Sequence, residues 1–156
     1  MSAEALVAAA RAKGCRLTTA ESCTGGLVAA RITQVPGASD VFHEGFVTYS
    51  NRAKTRALDV SEGTLAAHGA VSEEVAAEMA RGALTHAAGD IAVSVTGIAG
   101  PGGSEFKPEG RVCFGLATSS SVRTETVEFG ALGRDAVRQA ACDHAIRLLL
   151  GAVEDY

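Results

Sequence analysis

The stretch Ala20-Glu21-Ser22-Cys23-Thr24-Gly25-Gly26 decides the fold of this chain. Residues 16–20 before it are typical of a strand, and residues 27–33 after it are typical of a helix. A strand, a tight turn and a helix start, in that order, place the turn at the carboxyl edge of a sheet, where open α/β folds bind ligands. Free backbone N–H groups at a helix start attract anions and stabilise oxyanions. Ser22 stands where a nucleophile would use them.

The same turn has a plainer interpretation, in which Thr24 is simply the N-cap of the following helix. We expect Gly25 and Gly26 to let a ligand approach the backbone closely, because neither residue carries a Cβ. Cys23 is a rival nucleophile, since thiolates near a helix start are activated. The turn alone does not separate these alternatives.

Composition bounds the class of protein. The chain has 156 residues, 47% of them hydrophobic, with 18 glycines and no tryptophan. This favours one domain over residues 1–156, built as a layered α/β protein rather than a helical bundle. The net charge of −4 argues against a broad basic face for nucleic acid. The four cysteines form no CxxC pair, so we expect neither a metal site nor disulfides.

No long apolar span and no N-terminal signal pattern is visible, so we expect a cytoplasmic protein that does not enter a membrane. The Ala-rich first helix suggests a surface that faces a partner. We therefore expect a homo-oligomer, a dimer or higher. Separately, we expect no cofactor.

Periodicity and turn residues predict the order α-β-α-β-α-α-β-β-β-α. This order argues for a three-layer α/β/α sandwich around a five-stranded, mostly parallel sheet with one reversed strand. We expect Gly45 to mark a bulge and Gly89 to end the fifth helix. The predicted strands are residues 16–20, 41–49, 91–96, 111–119 and 122–129, the last two an antiparallel hairpin. The main predicted helices are residues 2–13, 27–33, 61–67 and 133–150, with one beginning at Ser50 or Asn51 and one capped by Ser72.

Three loops follow predicted strands: the Ser22 turn, residues 49–54 and the glycine-rich residues 96–103. If their strands are parallel neighbours, all three loops meet at one edge of the sheet. That edge would hold the hydroxyl of Ser22, the phenol of Tyr49, the ammonium of Lys54 and the hydroxyl of Thr96. None of these loops contains a histidine, so a Ser-His-Asp triad fits poorly.

A lysine activates a serine only if its pKa is lowered by burial or by a neighbouring cation. Arg52 and Arg56 are the candidates for that cation. Each residue also has a structural alternative. Lys54 would be a solvated helix residue, Tyr49 a half-buried strand residue with a bonded hydroxyl, and Thr96 a buried residue that caps its own loop.

These three segments, residues 19–26, 45–54 and 95–103, resemble the CinA C-terminal domain family. Three motifs in the right order make the resemblance specific, and it runs from about residue 3 to 150. The family comprises nicotinamide-nucleotide amidohydrolases, also called nicotinamide mononucleotide deamidases. The resemblance implies a fold similar to the anticodon-binding domain. It implies hydrolysis of nicotinamide mononucleotide to nicotinate mononucleotide and ammonia, as part of pyridine nucleotide recycling.

The resemblance also implies roles for individual residues. The family's serine falls on Ser22, and its tyrosine and lysine fall on Tyr49 and Lys54. We expect Ser22 to attack the carboxamide carbon, Lys54 to take its proton and Tyr49 to relay or hold that proton, without a metal. The residues expected to bind substrate are Thr24, Gly25, Gly26, Thr96, Gly97, Gly100, Gly102, Gly103 and Arg134.

The substrate phosphate is expected in the loop of residues 100–103, helped by Arg134 or Arg111. One position departs from the family pattern: Gly133 precedes Arg134 where the family tends to carry an acidic residue, and Asp135 follows instead. Two other functions stay open. One is a non-catalytic nucleotide-binding or competence- and damage-related regulatory module. The other is a dinucleotide-binding domain, against which the missing GxGxxG motif counts.

Overall fold

A computed structural model describes residues 2–156 and places five strands in one sheet. The strand order is β2-β1-β3-β4-β5, where the pairs of β1 with β2 and with β3 are parallel. Strand β4 runs antiparallel to both β3 and β5, so it is the one reversed strand. The strands are β1 (Leu17–Glu21), β2 (Phe42–Val47), β3 (Ile91–Gly97), β4 (Arg111–Thr118) and β5 (Val122–Glu128).

Helices cover both faces of this sheet. Helices α1, α2 and α6 share one apolar core with the sheet, and α3, α4 and α5 pack on the other face. The predicted three-layer sandwich with a mixed, mostly parallel sheet is therefore confirmed. The helices are α1 (Ala3–Lys13), α2 (Leu27–Thr33), α3 (Asn51–Leu58), α4 (Glu62–His68), α5 (Glu73–Ala87) and α6 (Arg134–Glu154), with a short 3₁₀ turn at Ala38–Asp40.

Local chemistry explains most helix boundaries. Ser2, Ser50, Ser61 and Ser72 each accept a hydrogen bond from a backbone N–H in the first turn of the helix that follows. Gly14 ends α1 in the left-handed conformation that a residue without Cβ adopts easily. The caps at Ser50, Ser72 and Gly14 agree with the predictions, whereas Ser2 and Ser61 were placed inside their helices.

Two local predictions, a bulge at Gly45 and the end of the fifth helix at Gly89, are wrong. The register shift between β1 and β2 lies at His43, whereas Gly45 pairs regularly with Thr19. Gly45 is small because a Cβ there would lie 2.6 Å from the Thr19 hydroxyl oxygen. Helix α5 ends on Ala88, which takes the left-handed conformation. Gly89 instead lets β1 pass closely, since its Cβ would lie 3.3 Å from a Thr18 methyl carbon.

The apolar stripe of α1 is covered within the chain. Ala3, Leu6, Val7 and Ala10 are buried, and the helix packs on α6 and α2. This stripe therefore gives no support to a partner-facing surface, and the homo-oligomer stays a prediction. None of the helices within residues 2–156 is both long and apolar enough to cross a membrane.

One close crossing fixes the helix that carries Lys54. A Cβ on Gly82 of α5 would lie 2.0 Å from the carbonyl oxygen of Leu58, the last residue of α3. Only glycine at position 82 allows α3 to approach α5 this closely. The crossing holds α3 beside the carboxyl ends of β1 and β2, where its buried face meets the Ser22 turn.

Candidate active site

The carboxyl ends of the three parallel strands border one pocket of about 340 Å³. Ser22 follows β1, Tyr49 follows β2, and Gly97 ends β3. The predicted meeting of three loops at one sheet edge is what the structure shows. The pocket is lined by Ser22, Cys23, Tyr49, Asn51, Lys54, Ala70, Val71, Thr96, Gly97, Ile98, Ala99, Gly100, Pro101, Gly102, Gly103, Ser104 and Arg134.

Ser22 and Lys54 form a direct hydrogen bond in the floor of the pocket. The Lys54 Nζ lies 2.9 Å from the Ser22 Oγ, and the two side chains come from the β1 turn and from α3. Lys54 is 1% exposed and Ser22 is 8% exposed. The backbone N–H of Ser22 is fixed by a bond to the Val95 carbonyl of β3. The Ser22 hydroxyl and the Lys54 amine are thus held in place by the sheet and by a helix.

Burial sets the charge of the lysine. Removal of the ammonium from water lowers the pKa of Lys54 from its ordinary value of 10.5. The Thr48 carbonyl oxygen lies 3.0 Å and the Tyr49 carbonyl oxygen 3.5 Å from the same Nζ. As an ammonium, Nζ donates to Ser22 Oγ and to these carbonyls. Once deprotonated, the amine can still donate to the two carbonyls while its lone pair accepts the Ser22 proton.

The predicted role of Arg52 and Arg56 in lowering this pKa is not supported. Both residues border a separate groove between α3 and α4, on the far side of α3 from Lys54. Desolvation is the leading cause of the shift, and no arginine contributes to it.

Tyr49 lies at the mouth of the pocket and not beside the proton. Its side chain is 59% exposed, and its hydroxyl oxygen accepts a hydrogen bond of 2.6 Å from the Arg134 guanidinium. Tyr49 contacts Lys54 through its backbone carbonyl alone. The structure therefore gives its phenol a place in positioning Arg134, in contrast to the predicted proton relay.

The glycine-rich loop after β3 forms the opposite wall. Thr96, Gly97, Gly100, Gly102, Gly103 and Arg134 line the pocket as predicted, whereas Thr24, Gly25, Gly26 and Arg111 lie outside its lining. The Arg134 guanidinium donates to the Gly100 carbonyl oxygen at 2.6 Å, which ties α6 to this loop. Thr96 uses its hydroxyl to bind the Ala70 carbonyl at 2.8 Å.

Glu109 organises the same loop. One of its oxygens accepts from the Gly102 N–H at 2.8 Å, and the other accepts from the Gly133 N–H at 3.0 Å. The Gly102 N–H is therefore not free for a substrate phosphate. A carboxylate does sit beside the start of α6, but it comes from position 109 rather than from position 133.

The Glu21 carboxylate occupies backbone N–H groups at the start of α2 that were expected to bind an anion or an oxyanion. This side chain is 0% exposed, and its two oxygens accept from the Val28 and Ala29 N–H groups at 2.9 and 3.0 Å. The alternative interpretation, in which Thr24 caps α2, is wrong, because Gly26 is the N-cap and makes no side-chain bond. The buried Thr24 hydroxyl has no hydrogen-bond partner within residues 2–156.

The rival nucleophile Cys23 sits in a poor environment. Burial raises the pKa of this thiol to about 12, so it stays protonated near neutral pH. Among residues 2–156, no three His, Cys, Asp or Glu side chains are grouped to hold a metal ion. The chemistry available in the pocket is thus a serine hydroxyl, an amine of lowered pKa, a guanidinium and backbone donors.

Sequence reasoning missed several lining residues. Asn51 was seen only as a cap candidate, and Ala70 and Val71 reach the pocket from the loop between α4 and α5. No local pattern marks those two residues, since tertiary packing alone brings their loop to the sheet edge. Arg138, which holds the Ser22 turn from α6, was also missed.

Comparison with known proteins agrees with this architecture. The chain is 54% identical over 142 residues to the nicotinamide-nucleotide amidohydrolase PncC of Escherichia coli K12, covering 90% of this chain and 86% of that protein. It is 61% identical over 113 residues to a CinA-like protein of Chloroherpeton thalassium, covering 72% of this chain but only 27% of that longer protein.

Solved structures resemble the chain closely. The competence/damage inducible protein CihA of Agrobacterium tumefaciens has a TM-score of 0.93 at 41% identity, covering 97% of this chain and 93% of that one. A CinA superfamily protein of Klebsiella pneumoniae has a TM-score of 0.95 at 37% identity, covering 99% and 96% of the two chains. The family model of the CinA C-terminal domain matches residues 1–153. The chain therefore belongs to the CinA C-terminal domain family.

Proposed function

We propose that this protein hydrolyses the carboxamide of nicotinamide mononucleotide to nicotinate mononucleotide and ammonia. The single observation that carries this proposal is the 2.9 Å contact between the buried Lys54 amine and the Ser22 hydroxyl. The Escherichia coli relative is a nicotinamide-nucleotide amidohydrolase, which supports the substrate class. The reaction returns a pyridine nucleotide to cofactor synthesis.

The proposed reaction proceeds by nucleophilic catalysis. Neutral Lys54 accepts the Ser22 hydroxyl proton while Ser22 Oγ attacks the carboxamide carbon. The tetrahedral intermediate collapses when the Lys54 ammonium protonates the departing nitrogen, which leaves as ammonia. A water molecule, deprotonated by the same amine, then attacks the Ser22 ester and releases the carboxylate. The sum is one amide and one water converted to one acid and one ammonia.

The remaining lining residues suit the rest of the nucleotide. Arg134 is the guanidinium that lines the pocket, and we assign it to the phosphate together with the glycine-rich loop of residues 97–103. Tyr49 holds the guanidinium at the pocket mouth through its hydroxyl. We assign a structural role in the Ser22 turn, rather than contact with the substrate, to Thr24, Gly25 and Gly26.

The test is an ammonia-release assay on nicotinamide mononucleotide, with nicotinamide and NAD as alternative substrates. We expect wild type and Ser119→Ala to be active, and Ser22→Ala and Lys54→Met to lose at least about 10³-fold in kcat. Cys23→Ala should keep its activity. If Ser22→Ala stayed fully active, the proposed nucleophile would be wrong. If wild type released no ammonia, the non-catalytic nucleotide-binding module would be favoured.

We also propose that the protein is a cytoplasmic homo-oligomer that does not bind nucleic acid. Its four cysteines are free and buried, as is usual in a reducing compartment. Within residues 2–156, five large apolar side chains stay more than half exposed: Val47, Tyr49, Phe106, Leu132 and Tyr156. Such side chains are enriched where chains meet. Light scattering on the purified protein measures the assembly, and a monomer at micromolar concentration would contradict it.

A further inference from the structure

Arg138 of α6 binds the backbone of the Ser22 turn. Its Nε donates to the Cys23 carbonyl oxygen and its Nη2 to the Thr24 carbonyl oxygen, each at 3.1 Å. Arg138 is absent from the pocket lining, so it does not touch the reacting atoms. A guanidinium that binds two successive backbone carbonyls fixes the orientation of both peptide planes.

The orientation of those planes decides where the backbone donors point. In a trans peptide the C=O and the N–H point in opposite directions. The Cys23 carbonyl faces Arg138, so the Thr24 N–H of the same peptide faces away from α6. The Ser22 carbonyl accepts the Gly25 N–H at 3.0 Å inside the turn, so the Cys23 N–H points out of it.

Of these two N–H groups, the one on Cys23 can reach a substrate. Cys23 lines the pocket, whereas Thr24 is fully buried and does not. Within residues 2–156, the Cys23 N–H donates to no other residue. Arg138 fixes this donor through the turn, because its bond to the Thr24 carbonyl orients the peptide whose Gly25 N–H donates to the Ser22 carbonyl. A backbone donor adjacent to an attacking serine is what an oxyanion hole requires.

Gly25 shows that the guanidinium is packed against the turn. Its backbone is left-handed, with φ of +59°, and a Cβ there would lie 3.3 Å from the Arg138 Nη2. The glycine therefore serves both the turn and the approach of Arg138. This explains its presence in the motif although it does not line the pocket.

We infer that Arg138 is a positioning residue that holds the Cys23 N–H as an oxyanion-hole donor for attack by Ser22. The inference rests on the proposed serine-dependent amide hydrolysis, and it adds the residue that sets the geometry of a transition-state donor. Because that donor acts on the oxyanion and not on the bound amide, the effect of Arg138 falls on kcat.

The experiment compares Arg138→Gln and Arg138→Lys with the matched control Arg31→Gln. Arg31 lies on α2 and also binds α6, through Asp143 at 2.7 Å and Gln139 at 3.0 Å, but it makes no hydrogen bond to the Ser22 turn. We expect Arg138→Gln to lose about 10- to 100-fold in kcat with KM changed less than threefold, somewhat below the 10²–10³-fold of deleting a donor outright. Arg138→Lys should recover part of that loss, and Arg31→Gln should stay within twofold of wild type.

A second readout does not depend on the substrate. A fluorophosphonate reacts when Ser22 Oγ bonds to phosphorus, fluoride leaves and Lys54 takes the proton. The developing P–O⁻ uses the same Cys23 N–H. The labelling rate followed by mass spectrometry should therefore fall at least tenfold in Arg138→Gln and remain unchanged in Arg31→Gln. Equal labelling and equal kcat in both variants would overturn the inference. Labelling that depends on Arg138 in an enzyme inactive on nicotinamide mononucleotide would refute the proposed substrate alone.

Discussion

Replacement of Glu21 by Gln tests how the nucleophile turn is held. The carboxylate is fully buried and accepts two backbone N–H groups of α2 at 2.9 and 3.0 Å. Gln keeps one acceptor oxygen and turns an NH2 group toward the other N–H. One charge-assisted bond of about 1.5–3 kcal/mol is lost, and one buried N–H is left without an acceptor at about 1–3 kcal/mol.

Together these terms predict a loss of about 4 kcal/mol in the free energy of unfolding, within a range of roughly 2.5–6 kcal/mol. In a chain of this size that corresponds to roughly 8–16 °C in Tm. The chain has no tryptophan, so urea unfolding is followed by far-UV circular dichroism. Glu4→Gln, in the exposed first turn of α1, is the matched control and should change stability by less than about 0.5 kcal/mol. A loss below about 1 kcal/mol for Glu21→Gln would refute the account of α2 capping.

Three further predictions follow from other contacts. Burial lowers the pKa of Lys54, so kcat/KM should rise with pH as the amine loses its proton. The free energy of unfolding should also rise with pH between the pKa of Lys54 in the folded protein and 10.5, because the unfolded chain binds more protons in that range. Lys54→Met should abolish this pH dependence in urea unfolding. Gly82→Ala would place a Cβ 2.0 Å from a backbone oxygen, so it should lower the free energy of unfolding by about 3 kcal/mol or more. Gly151→Ala, in open space within α6, should raise the free energy of unfolding by about 0.5–1 kcal/mol. Denaturant unfolding measures both. Arg134→Gln should raise KM for the nucleotide about tenfold with kcat nearly constant, while exposed Arg147→Gln leaves both unchanged; a fall in kcat alone would contradict phosphate binding by Arg134.

Sequence patterns were sufficient for the architecture of the site because parallel strands impose it. Once β1, β2 and β3 are parallel neighbours, the residues that follow them must meet at one edge. Ser22, Tyr49 and residues 96–103 could therefore be placed before any coordinates. The caps Ser50 and Ser72 were predictable for a different reason, since each cap depends on residues three positions apart or fewer.

Contacts that cross the fold could not be predicted in this way. Glu21 caps a helix that begins six positions later in the chain, so the nearer Thr24 was the expected cap. Arg138 follows Arg134 by one helical turn and reads as part of a solvated face, yet it binds carbonyls more than 110 positions away. The cause of the lowered pKa of Lys54 was missed similarly, because its burial depends on where α3 packs.

The separation of two buried ionisable residues beside Ser22, Glu21 and Lys54, supports the proposal that the lysine acts as a base. An ion pair between Glu21 and Lys54 would hold the amine protonated, since a nearby carboxylate favours the ammonium. Among residues 2–156, no carboxylate oxygen lies within ion-pairing distance of the Lys54 Nζ, and Glu21 is satisfied instead by two N–H groups of α2. The start of α2 thus neutralises the carboxylate without a cation. That leaves the Lys54 amine with carbonyl oxygens and the serine hydroxyl as its only polar neighbours in the described chain, which are the surroundings that a general base requires.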